Sequence, residues 1–140
     1  MIEFLDLPDP PCFLDTESIK LKENTWVGNK ENYGIYFCED ELTDFLKPLF
    51  PECTCFRYQV LQPNIPRHID YNRSSCYNYL LQLGGDNVET VWWKNDKEIY
   101  RTCIPEKKWH KLDISIEHSI ENIETERIAI TVFKSERSSI

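Results

Sequence analysis

The apolar positions of this chain change period once. Between residues 39 and 49, Leu42, Phe45, Leu46 and Leu49 fall at i, i+3, i+4 and i+7, behind the acids Glu39, Asp40 and Glu41. That spacing predicts a short amphipathic helix, with its acids against the positive end of the helix dipole and Pro48 and Pro51 marking its end. From residue 53 the period is that of strands. Segments 56–62, 76–83, 88–93, 98–103, 109–116 and 127–133 alternate or run apolar, and Gly84-Gly85-Asp86-Asn87 and Lys94-Asn95-Asp96-Lys97 supply turns between them. About eight short strands with no further helical period predict a jelly-roll or sandwich-type β-fold. Ahead of residue 38 lie two short pieces, Ile19-Lys20-Leu21 and Tyr33-Gly34-Ile35-Tyr36-Phe37, read as strands or extended cover. Asn24, Gly28, Asn29 and Asn32 mark the turns beside them. No linker or repeat interrupts the pattern. The reading is therefore a single domain over 1–140, with cover and helix over 1–52, β core over 53–134 and a loose tail over 135–140.

Composition narrows the class. The chain has 140 residues, 41% of them hydrophobic and 13% aromatic, which is enough to bury a core and far from the profile of a disordered chain. Its formal net charge of -8 offers no basic face for a phosphate backbone, which argues against nucleic acid. The longest apolar run, 128–133, is far short of a membrane span. Residues 1–12 are acidic and proline-rich, unlike a secretory signal, so a cytoplasmic location is expected. In that compartment the six cysteines read as reduced, buried thiols, and Cys53-Thr54-Cys55 lacks the spacing of a zinc knuckle or a redox pair.

The chemistry concentrates in Pro63-Asn64-Ile65-Pro66-Arg67-His68-Ile69-Asp70. In extended chain, residues i and i+2 share a face, roughly 6.5–7 Å apart, so His68 and Asp70 can reach one metal ion together. Only three histidines are present, and His118 is the natural third ligand. Nine residues after it, Arg127 opens the final apolar strand. A guanidinium there needs an acidic partner, and its planar fork suits a carboxylate. The blander alternatives are a surface ion pair for His68 and Asp70, a turn residue for His118, and a pairing of Arg127 with Glu121, Glu124 or Glu126. His110, between Trp109 and Lys111, is expected at the surface or in a local hydrogen bond. Trp92 and Trp93 alternate, so only one can face a pocket as a substrate contact.

Two histidines and a carboxylate with open positions form the facial triad of non-haem iron(II) oxygenases. The order His-x-Asp, distal His, then Arg in a final strand resembles the 2-oxoglutarate/Fe(II)-dependent dioxygenases. Pro66-Arg67-His68-Ile69-Asp70 and His118-Ser119-Ile120-Glu121-Asn122 with Arg127 look like the motifs of their prolyl hydroxylase and aspartyl/asparaginyl β-hydroxylase-like branches. The resemblance spans residues 53–134. It implies a mainly β, double-stranded β-helix (jelly-roll, cupin-like) with one or two short covering helices. It also implies Fe(II) held by His68, Asp70 and His118, and 2-oxoglutarate paired through Arg127, with Tyr79, Tyr58 and Asn78 as further cosubstrate contacts. The implied activity is hydroxylation of a peptide, an amino acid or another small molecule with O2, releasing succinate and CO2. No long insertion able to close over a substrate is visible, so the substrate class stays open. Two other readings stand beside this one: a non-catalytic cupin-like binding module, and a cupin-type enzyme using zinc or manganese.

Overall fold

The computed structural model describes residues 1–21, 28–30, 33–62, 65–70 and 73–135. Its elements are β1 (Ile2–Phe4), α1 (Thr16–Leu21), β2 (Gly28–Lys30), β3 (Tyr33–Phe37), α2 (Asp40–Leu49), β4 (Cys55–Leu61), β5 (Ile65–His68), β6 (Ser75–Gln82), β7 (Glu89–Lys94), β8 (Lys97–Thr102), β9 (His110–Asp113), β10 (His118–Glu121) and β11 (Arg127–Phe133). They form a seven-stranded sheet ordered β1-β9-β6-β11-β4-β3-β2 and a four-stranded sheet ordered β5-β10-β7-β8.

From β4 onward the pairing is nested. β4 pairs with β11, β5 with β10, β6 with β9 and β7 with β8, all antiparallel. A long hairpin folded over so that its strands are shared between two sheets has this order, which is that of a jelly roll or double-stranded β-helix. β1, β2 and β3 only widen the larger sheet.

The buried strand β11 shows why the sandwich has two interiors. All seven of its residues are buried. Ile128, Ile130 and Val132 point outward, where they cluster with Val60 of β4 and with Leu42 and Leu46 of α2. Burying each such side chain stabilises the fold by about 1.5–3 kcal/mol. Its other face, with Arg127 and Ala129, looks between the sheets into a cavity. The helical period of residues 39–49 therefore folds as expected, and its apolar stripe covers the large sheet.

Some sequence expectations change. Ile19-Lys20-Leu21 ends a helix rather than a strand, because Asp15 Oδ1 accepts a 2.7 Å hydrogen bond from Ser18 N and starts the turn. Gly28 and Asn29 lie in β2 rather than in a turn. The 109–116 segment stops pairing at Asp113, whose Oδ1 caps Ser115 N at 3.0 Å, and His118 begins a strand of its own. The hairpin of β7 and β8 turns on Asn95 and Asp96, at φ 53° and 62°, the left-handed conformation of a type I′ turn. Asn24, Asn32, Pro63, Asn64, Tyr71, Asn72 and the tail 136–140 lie outside the described residues. None of the six cysteines is paired; Cys53 and Cys76 are buried, whereas Cys103 is exposed. Among the described residues no helix is long and apolar enough to cross a membrane.

Candidate metal centre

His68 closes β5 and His118 opens β10, and the two are register partners across that antiparallel pair. Partners across a ladder project to the same face, and their rings lie 4.4 Å apart. Asp70 follows His68 by two residues in the loop beyond, where its backbone N–H donates to Ile114 O at 3.4 Å. Its Oδ2 sits 3.2 Å from His118 Nε2 and 3.9 Å from His68 Nε2. One ligand atom from each of the three residues falls within 4.8 Å of the others.

The backbone sets the tautomers. His68 Nδ1 lies 2.9 Å from Pro66 O and His118 Nδ1 2.8 Å from Ile116 O. A carbonyl oxygen only accepts, so each Nδ1 carries a hydrogen, and Nε2 is the ring nitrogen left to face a metal ion. Outer hydrogen bonds of this kind orient metal-binding histidines. Burial pushes the Asp70 carboxyl upward in pKa, but a hydrogen bond from His118 and the charges of Arg73 and, when they are protonated, of His118 and His68 outweigh it and hold the group below its usual value. Two imidazole nitrogens and a carboxylate oxygen facing one point form a set that could hold a divalent ion.

This cluster lies on the wall of a cavity of about 690 Å³ between the two sheets. Across the large sheet, one row of register partners faces into the sandwich: Arg57, Thr131, Asn78 and His110. Asn78 Oδ1 is buried there without a hydrogen-bond partner among the described residues. Arg127 also lines the cavity and is 4% exposed. Its Nη1 donates to Leu83 O at 3.3 Å, and no ion pair reaches it among the described residues. Burial lowers its pKa to about 10, with a small upward pull from Cys103, so it remains a cation at neutral pH. Glu121, one of its sequence-proximal acids, pairs instead with Arg101 at 3.0 Å.

Other candidates point elsewhere. On β6, Asn78 and Leu80 face the cavity, so Tyr79 projects from the opposite face, where its hydroxyl donates to Asp9 Oδ1 at 3.1 Å and its ring packs on Trp109. Tyr58 on β4 is likewise turned outward, donating to Glu39 Oε1 at 2.8 Å and accepting from Leu14 N at 2.9 Å. Both tyrosines belong to the helix-covered core, and neither lines the cavity. The reason is strand alternation: a register error of one residue exchanges Asn78 for Tyr79. Trp92 is a buried plug whose Nε1 donates to Asp113 O at 2.8 Å. Trp93 faces outward, under the Arg67 guanidinium at 4.7 Å and with Nε1 donating to Ser119 Oγ at 3.0 Å. His110 hydrogen-bonds locally to Lys108 O at 3.0 Å, yet it is buried on the cavity wall rather than at the surface. Arg73 escaped the sequence reading because it lies in a polar stretch with no period to place it. In the structure it is buried beside Asp70.

No protein-family model matches the sequence, and no curated protein matches it significantly. Among solved structures, the chain is similar to Peruvianin-I, a cysteine peptidase from Thevetia peruviana latex, at 14% identity and TM-score 0.47, over 95% of this chain and 84% of that chain. It is also similar to a protein described as a predicted oxalate decarboxylase from Thermotoga maritima, at 17% identity and TM-score 0.42, over 95% of this chain and 98% of that chain.

Proposed function

We propose that this protein is a 2-oxoglutarate- and Fe(II)-dependent dioxygenase that hydroxylates a peptide, an amino acid or another small molecule. The observation that carries the reading is the sharing of one cavity by the His68, Asp70 and His118 donors and by Arg127, a buried cation with no ion-pair partner among the described residues. The donor set fits the metal: two lone pairs are freed by backbone carbonyls, and a carboxylate is held ionised between them. When bound, iron(II) would supply the redox chemistry by which O2 oxidises 2-oxoglutarate to succinate and CO2 with one oxygen atom and converts a substrate C–H to C–OH with the other.

The chain's own residues bind, orient and exclude water. Arg127, steadied by Leu83 O, offers its guanidinium to the distal carboxylate of 2-oxoglutarate, and burial makes that pairing stronger than it would be in water. Asn78, with its unpartnered Oδ1, is the one of the three expected further contacts that lines the cavity, since Tyr58 and Tyr79 are turned away. Leu80, Leu112, Ile114 and Ile120 line the same space and supply apolar surface between its polar groups.

The outward placement of Tyr58 and Tyr79 favours a second reading, in which the triad holds zinc or manganese and no cosubstrate is used. The two readings part on one measurement. Anaerobic titration with iron(II) and 2-oxoglutarate should give a metal-to-ligand charge-transfer absorption that His68→Ala and Asp70→Ala abolish, and air should then yield succinate. Variants that bind iron and cosubstrate as well as the parent would overturn the site. Metal binding without succinate under any condition would favour the second reading.

A further inference from the structure

Arg73 is a charged group on the cavity wall that acts on Asp70 through its charge and makes no hydrogen bond to it. It is 8% exposed and lies 4.0 Å over the Phe133 ring, and Asp70 Oδ1 is 3.9 Å from its Nη2, beyond hydrogen-bond reach. Its Nε and Nη1 are buried with no hydrogen-bond partner among the described residues. A buried cation with two idle donors is costly until an anion completes it. On the oxygenase reading above, on which this inference rests, a divalent ion is offset by Asp70 and by the 2-oxo acid end of the cosubstrate. Arg127 is offset by the distal carboxylate. With these carboxylates so used, Arg73 keeps its two idle donor nitrogens.

We propose that the substrate is a small molecule bearing a carboxylate, and that Arg73 binds this carboxylate through its idle N–H groups. A guanidinium fork matches the planar geometry of a carboxylate. The Phe133 ring packs against the guanidinium, and Arg73 lines the cavity from which an acceptor would approach. The rest of the wall is rich in aliphatic side chains, including Leu80, Leu112, Ile114 and Ile120, which suits a carbon chain behind the acid. At about 690 Å³ the space falls within the range of about 300–1,000 Å³ usual for small-molecule sites.

The test uses butyrate and its neutral isostere butyramide on the full chain saturated anaerobically with iron(II) and 2-oxoglutarate. Charge-transfer absorption reports on cosubstrate binding, and its absence counts against the oxygenase reading alone. Thermal unfolding reports separately on Arg73. Butyrate should raise Tm by several degrees where butyramide does not, because a ligand that binds only the native state stabilises it. Arg73→Gln should weaken the butyrate effect by at least about tenfold in concentration. Arg73→Lys, which keeps the charge and is the variant to read if Arg73→Gln does not fold, should weaken it less. Equal shifts from acid and amide, no shift from butyrate in the parent, or an unchanged butyrate response in both variants would overturn the proposal. So would an equal loss of 2-oxoglutarate affinity in Arg73→Gln, which would assign Arg73 to the cosubstrate.

Discussion

At the scale of single residues, the cavity wall is a set of polar groups whose burial changes what they can do. His110 is buried in a row with Arg57, Thr131 and Asn78, and its pKa is lowered to about 4 by burial, against an upward pull from the hydrogen bond to Lys108 O and with a lesser downward push from the Arg127 charge. As pH falls through about 6.5, the unfolded chain takes up a proton that the folded chain refuses until about 4. The stability that His110 permits is thus present above that window and lost on acidification within it. Wild type should lose on the order of 3 kcal/mol more than His110→Gln between about pH 7 and 4, measured by urea unfolding. Matching pH profiles would show that His110 does not carry the effect. At this scale the sequence was legible where spacing is short: His68 and Asp70 are two residues apart. Arg73 was not, because its meaning comes from Phe133 and Asp70, which no local period brings to it.

At the scale of elements, α2 covers the outer face of β11, and the turn after β6 packs against the backbone at the start of that strand. Leu46 is fully buried against the outer face of the large sheet. Leu46→Ala should cost about 2–5 kcal/mol in denaturant unfolding while leaving iron(II) affinity unchanged, since the helix does not touch the cavity. A comparable loss of affinity would mean that the outer core shapes the site. Gly84 has φ +88°, and its carbonyl accepts from Glu124 N at 2.7 Å and Thr125 N at 3.0 Å. A Cβ there would lie 3.0 Å from Arg127 N. Gly84→Ala should therefore cost at least about 1–2 kcal/mol and, by displacing the start of β11, raise the 2-oxoglutarate concentration needed for succinate formation. An unchanged requirement would show that Arg127 is held by other contacts. The turn at residues 84–87 and the helix at 39–49 were readable because turn residues and a 3.6 period are local signals. The strand β1 was not, since it exists only as a partner of β9.

At the scale of the whole molecule, the candidate metal ligands belong to the small sheet and the loop beside it, whereas Arg127 belongs to the large one. An ion and a cosubstrate that engage both would tie the two layers together. At a free concentration of about 100 times its Kd, a ligand binding only the folded state adds about 2.7 kcal/mol. Iron(II) with 2-oxoglutarate, added anaerobically, should raise Tm by several degrees, reversibly with a chelator and not in Asp70→Ala. A rise that survives that substitution would place the ion elsewhere.

The sequence by itself determined the mainly β class, the covering helix, and the order of His68, Asp70, His118 and Arg127 along the strands. These follow from periodicity and from spacing within single elements. Only the tertiary structure decided which face of each strand meets the cavity, because that depends on register between strands distant in sequence. Thus Asn78 lines the cavity while Tyr79 and Tyr58 support the outer core. Thus also Arg73, unremarkable in the chain, stands buried beside Asp70 with two donors unused.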